Sequence, residues 1–207
     1  GSISVNCHGW QHNAAPIAST VESFRIMTAD GGIHRCSRTE NTELFTLALG
    51  GYGLFGIILE VDLRVVPNEL YAAEAHPVSA ADYDRVYHEL TRDNTDIGMA
   101  YGRINVAPGT FLKDGNITLL KRQDDEGQPG QTLLAQEPKL LNRLVFRGGM
   151  GSNYGKKLRW RLEKHVGETG SETLSRNQIM NEPVHVYATR DPHVADILHE
   201  YFVPVAR

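Results

Sequence analysis

The sequence holds 207 residues, 41% hydrophobic and 22% charged, which suits one large or two small globular domains and excludes a wholly disordered or fibrous chain. No apolar run approaches the roughly 18 residues that a membrane-spanning helix needs. Two cysteines, Cys7 and Cys36, can build neither a disulfide framework nor a zinc site on their own; they fit a reducing compartment and leave a single disulfide open. The net charge of −4 is unevenly spread, because eight basic residues and one acid, Glu163, fall between Lys139 and Lys164.

Residues 3–7 alternate like a half-buried strand that starts without a lead-in, and residues 197–205 end the chain in the same way. Both ends therefore read as the inside of a longer protein, with Gly1-Ser2 either native or an expression scar. His8 and His12 have the i, i+4 spacing of metal ligands on a helix, but Gly9, Asn13 and Pro16 give that stretch loop chemistry, and no metal site is expected. Strands at 21–29 and 33–36 flank Asp30-Gly31-Gly32, a hairpin turn signal. A short helix at 41–49 follows, with Asn41 or Thr42 as its cap. A strand at 57–66 then places Ile57, Leu59, Val61, Leu63 and Val65 on one face. Pro67-Asn68 marks a boundary.

The second part predicts a strand at 70–78, a Ser79-x-x-Asp82 cap, and an amphipathic helix to about Arg92 carrying Tyr83, Val86, Tyr87 and Leu90. Strands near 97–106 and 116–123 come next, and 124–131 reads as an exposed loop. The order β-α-β-β predicts an antiparallel sheet with helices on one face. The basic block at 139–164 has two readings, a solvated helix face or a surface for phosphate or anionic lipid. Its aromatics are few, Phe146, Tyr154 and Trp160, and nucleic acid is not expected as a partner.

Gly51-Tyr52-Gly53-Leu54-Phe55-Gly56 spells G-x-G-x-x-G. A dinucleotide site needs a strand before that motif and a helix after it, whereas here the order is inverted. Glycines entering a strand can instead bring bare backbone up to a ligand.

Four segments in order carry a more specific signal: Gly1-Ser-Ile-Ser-Val-Asn-Cys-His-Gly9, Thr28-Ala-Asp-Gly31, Asn41-x-Glu-Leu-Phe45 and Gly50-Gly-Tyr-Gly-Leu-Phe-Gly-Ile-Ile58. Together they resemble FAD-linked oxidases of the vanillyl-alcohol oxidase / p-cresol methylhydroxylase superfamily. Within it they look most like bacterial sugar- and alditol-type oxidases, the branch that includes decaprenylphosphoryl-ribose 2-oxidase. The resemblance implies an α+β chain. Residues 1–68 would be the second half of a PCMH-type FAD-binding domain, and residues 69–207 an incomplete substrate or cap domain. It implies FAD as cofactor, contacted by Gly1, Val5, Asn6, Cys7 and His8 and, near the adenine end, by Gly56, Ile57 and Ile58.

The resemblance further implies a small-molecule substrate whose CH–OH group loses hydride to the flavin, with O₂ or a carrier as final acceptor. His8, His199 and Tyr201 are the catalytic candidates, and Asn181, His199 and Tyr201 would face the substrate. The family's pyrophosphate loop and the last part of its FAD domain have no counterpart in these residues, so the fragment alone is expected to be inactive. A cytoplasmic location is expected, with weak contact to a membrane surface through 139–164. The competing readings are a non-catalytic module that keeps the fold without flavin, and an anion-binding or membrane-surface role for the basic segment.

Overall fold

The computed structural model describes residues 1–124, 140–168, 173–181, 188–189 and 191–194; within these, the side chains of 140–143, 145 and 164–168 are not described. The expected strand at 197–205, with His199 and Tyr201, lies outside the described residues, as do the 125–131 part of the predicted loop and Glu182-Pro183.

Two antiparallel sheets organise the chain. The first has the order β2-β1-β3, built from β1 (Val21–Met27), β2 (Ile33–Ser37) and β3 (Ile57–Leu63). Its hairpin closes over Asp30-Gly31-Gly32, with Thr28 N donating to Gly32 O and Gly31 adopting φ +82°. Helix α1 (Thr42–Ala48) covers one face and stacks Phe45 on Phe24 at 5.2 Å, in a core with Val21, Ile26, Cys36 and Ala48. Asn41 does stand at the N-cap, but it adopts a left-handed conformation and its Nδ2 donates to Arg35 O, so its side chain ties α1 to β2 rather than capping it.

Strand β3 departs from the expected alternation. The pairs Arg25–Glu60 and Ile26–Ile58 leave Leu59 without a partner, and this bulge shifts the side-chain phase. Ile58 and Val61 therefore pack on the core, while Ile57, Leu59, Leu63 and Val65 are exposed. Residues 3–7 also differ from expectation. Val5 N, Asn6 N and Cys7 N donate to Gly1 O, Ile3 O and Ser2 O, giving consecutive turns in place of a strand. Asn6, at φ +49°, supplies the left-handed residue that ends them. Both cysteines are free thiols.

The second sheet has the order β5-β6-β4-β7, from β4 (Leu70–Ser79), β5 (Ile97–Ile104), β6 (Asp114–Gln123) and β7 (Thr173–Ser175). Helix α2 (Tyr83–Thr91) lays Tyr83, Val86, Tyr87 and Leu90 on Ile97, Ile117 and Leu119. The expectation of helices on one face needs correcting. On the opposite face Tyr71, Met99 and Leu120 pack with Ile179 of α5 (Arg176–Met180) and with Trp10. The reason lies in β6, where Ile117, Thr118, Leu119 and Leu120 are buried in succession. A central strand that is apolar on both faces must be covered on both. Helices α3 (Leu140–Gly151) and α4 (Asn153–Glu168) form a hairpin whose α4 also packs on β4.

Candidate functional site

Two of the glycine-bearing segments meet in space. Gly50 N donates to Ile3 O at 3.2 Å and Tyr52 N to Ser4 O at 2.8 Å, so the loop between α1 and β3 lies against the turns at 1–7. The inward side chains there are already used, because Ile3 packs on the Phe24–Phe45 core and Asn6 Oδ1 accepts Ala18 N at 3.0 Å. What remains toward solvent is backbone together with Ser2, Val5 and His8, while Cys7 is half-buried.

After His8 the chain crosses to the other sheet. Gln11 forms a bridge with Met99, Ala100 N donates to Trp10 O, and His12 N donates to Gly98 O, which adds a short segment to the free edge of β5. Trp10 lies on Tyr101 with ring centroids 4.7 Å apart, and His12 Nδ1 sits 3.1 Å from Tyr87 Oη. Exposed His8, with Nδ1 3.2 Å from Gly9 O, occupies the passage between the two sheets. His12 is thus committed to α2. Among the described residues no group of three or more His, Cys, Asp or Glu could hold a metal.

Two glycines of the loop, Gly51 and Gly56, answer to the protein's own packing. A Cβ at Gly56, where φ is +144°, would clash with Met27 O across the β1–β3 pair, and one at Gly51 would clash with Leu47 O and Phe55. Close packing inside the chain thus gives Gly51 and Gly56 a reason to lack a side chain that no ligand has to supply. Ile58 is half-buried on the core and paired with Ile26, and Ile57 is exposed. Since β3 pairs only with β1 among the described residues, half of its backbone groups point to the unpaired edge.

Asn181 caps the end of α5 through its backbone N–H, which reaches Asn177 O and Gln178 O, and its side chain is exposed. The preceding Met180 accepts a contact from Gln11 Nε2 at 3.7 Å, so the end of α5 comes up to the crossing segment. The 1–7 turns thus meet the 50–56 loop directly, His8 follows those turns, and the end of α5 meets the crossing segment at Gln11.

Sequence reasoning missed the charged cluster that fixes α5. Glu69 accepts Tyr71 Oη at 2.5 Å, Arg176 Nη2 at 2.5 Å and Arg122 Nε at 2.9 Å, while Arg176 N donates to Glu69 O. Partial burial on its own would raise the Glu69 carboxyl. Hydrogen bonds from Tyr71 and Arg176, with the charges of Arg122 and Arg176, outweigh it and hold the group below its ordinary value. Burial and the hydrogen bond to Glu69 push the Tyr71 phenol up. Ser175 Oγ and Gln178 complete a capping box at the same junction. No motif joins Glu69 to Arg176, which are 107 residues apart. The Trp10–Tyr101 contact was missed for the same reason, although Trp10 directly follows the His8-Gly9 pair. A cleft of about 500 Å³ behind α1 holds none of the sequence candidates, and Arg38 at its rim is pinned to Ala18 O and Val21 O.

These residues fit a flavin in one respect, an accessible backbone ribbon beside a glycine loop with few intruding side chains. No described residue at this ribbon supplies a cluster of cations for a pyrophosphate.

No protein-family model matches the chain. Its relatives nevertheless define a class, since several of them are FAD-linked oxidases, matched at low identity over part of the chain. D-arabinono-1,4-lactone oxidase of Debaryomyces hansenii is 39% identical over 68 residues, 33% of this chain and 12% of the relative. Decaprenylphosphoryl-beta-D-ribose oxidase of Mycolicibacterium smegmatis is 29% identical over 92 residues, 42% of this chain and 20% of the relative. Cytokinin dehydrogenase 5 of Arabidopsis thaliana is 39% identical over 59 residues, 28% of this chain and 11% of the relative. The matched part of the chain thus spans between 11% and 20% of the length of these proteins.

Proposed function

We propose that the protein carrying this chain is an FAD-dependent oxidoreductase that oxidises a CH–OH group of a sugar, polyol or hydroxy-acid-like substrate. The observation that carries this reading is the docking of the 50–56 loop on the 1–7 turns, followed at once by the crossing to the second sheet at His8. Bound FAD supplies the hydride acceptor. The chain's own part is positional. Gly1, Val5, Asn6, Cys7 and His8 would hold the cofactor mainly through backbone, with the unpaired edge of β3 at Gly56, Ile57 and Ile58 as a second support. His8 stands where a substrate resting on the second sheet would approach, and Asn181 lies at the end of α5; the family resemblance nominates His199 and Tyr201, outside the described residues, as further substrate contacts.

Relatives named for a sugar lactone, a phosphoryl ribose and a cytokinin match this chain at comparable identity, so the matched residues support the cofactor more than the substrate. Sugar-type substrates are favoured because two lactone oxidases and a ribose oxidase stand among the relatives.

The second reading, a module that keeps the fold without flavin, draws on Gly51 and Gly56, whose packing against Leu47 O and Met27 O would preserve them with no ligand present. One experiment separates the two. The full-length protein, purified or reconstituted with FAD, should absorb in the flavin region. Protein that stays colourless after reconstitution refutes the flavoenzyme and leaves the module.

A further inference from the structure

We infer that the solvent side of the α3–α4 hairpin is a docking surface for an anionic phospholipid membrane. The two helices cross closely at Gly148 and Gly155, where a Cβ on Gly155 would clash with the Gly148 carbonyl. Beside that seam Arg159 lies over the Phe146 ring, 5.0 Å from its centroid. The sheet side of α4 is engaged as well, because Glu163 accepts Arg103 Nη1 at 3.0 Å and Arg159 Nε at 2.7 Å.

The outer side of α4 remains. Tyr154, Leu158 and Leu162 repeat there at i, i+4, i+8 and are 75%, 42% and 43% exposed. A helix that packs only against protein would turn such a row inward. Lys157 and Arg161 border the row, and at 3.6 residues per turn the five side chains occupy an arc of about 140° with cations along one margin and apolar groups along the other. The arc carries no acid from Tyr154 to Leu162, and Glu163 is turned away and clasped by two arginines. Antiparallel pairing at Gly148–Gly155 sets Leu144, 62% exposed, about level with Leu158 and widens the apolar area.

Interleaved cationic and apolar groups on one exposed helix face match a bilayer's anionic headgroups and the acyl boundary beneath them. A nucleic-acid strand would match only the cations, and a second copy of this basic face would repel it. Among the described residues no helix is long and apolar enough to cross a membrane, so the contact is with the surface.

The test is co-sedimentation of the full-length protein with vesicles of phosphatidylglycerol mixed with phosphatidylcholine, and with phosphatidylcholine alone. Wild type should pellet with the mixed vesicles, far less with the neutral ones, and less again as salt is raised. Lys157→Glu, which reverses one charge, should weaken partitioning about thirty-fold. Leu158→Ser should weaken it about ten-fold. Equal pelleting with both vesicle types, no pelleting at all, or unchanged partitioning in both variants overturns the inference. So does self-association or DNA retention that Lys157→Glu abolishes while vesicles go unbound.

Discussion

Glu69→Ala tests whether one charged junction holds residues 173–181 on the second sheet. The carboxylate receives Tyr71 Oη and Arg176 Nη2, each at 2.5 Å, and Arg122 Nε at 2.9 Å. Removing one partner of a buried ion pair costs about 3–5 kcal/mol. Here the Glu69 side chain keeps 24% of its surface in water and Arg122 keeps 44%, so screening brings the expected cost down to about 2–3 kcal/mol. In a chain of this size that is a fall in Tm of roughly 5–10 °C. Thermal unfolding followed by circular dichroism reads the shift, and limited proteolysis should show faster cleavage within 173–181.

Acid adds a signed check on the same residue. Because Glu69 titrates below its ordinary 4.5 in the fold, its contribution is complete above that value and is lost as pH falls through the lower folded value. Glu69→Ala should therefore lose stability less steeply than wild type below pH 4.5. A Tm within about 2 °C of wild type, with a parallel acid limb, would show that α5 is held by Tyr71, Leu174 and Ile179 packing alone.

Gly56→Ala should cost about 3 kcal/mol, from a strained positive φ and the clash with Met27 O, and urea unfolding should show a lower midpoint with an unchanged slope. A neutral result would mean that the β1–β3 pair yields at Met27. His8→Ala in the full-length protein should lower turnover or flavin retention with Tm within about 2 °C of wild type, since His8 is exposed. Normal kinetics with a depressed Tm would reduce His8 to a structural residue of the loop.

The parts of the fold that were legible in the sequence are those set by local chemistry. The Asp30-Gly31-Gly32 hairpin, the helix carrying Tyr83, Val86, Tyr87 and Leu90, and the strand-turn-strand at 97–123 follow from turn residues and periodicity, and each lies within a few residues of its predicted span. The phase of β3 was not legible, because five alternating apolar residues imply one buried face and the bulge at Leu59 is imposed by the register with β1. The turns at 1–7 were misread in a similar way. Their alternation is strand-like, but the left-handed Asn6 and the hydrogen bonds to Gly50 and Tyr52 belong to tertiary structure.

For the candidate site, the motifs pointed to FAD-linked oxidases and nominated residues along two segments. They held no information on which side of each segment faces solvent. Glu69, Arg176, Trp10 and Tyr101 were invisible for a plainer reason, since their partners lie elsewhere in the chain and no spacing rule connects them.

The crossing at 9–12 also bears on how the molecule is made. The His12–Tyr87 contact spans 75 residues, and closing a loop of that length costs about 4 kcal/mol of chain entropy before any contact repays it. During synthesis residues 1–7 could dock on the 50–56 loop once the first sheet had formed, whereas residues 9–12 could settle only after β5 and α2 had left the ribosome. Residues 9–12 should thus gain protection from hydrogen exchange later than residues 1–7, although the two stretches adjoin in sequence.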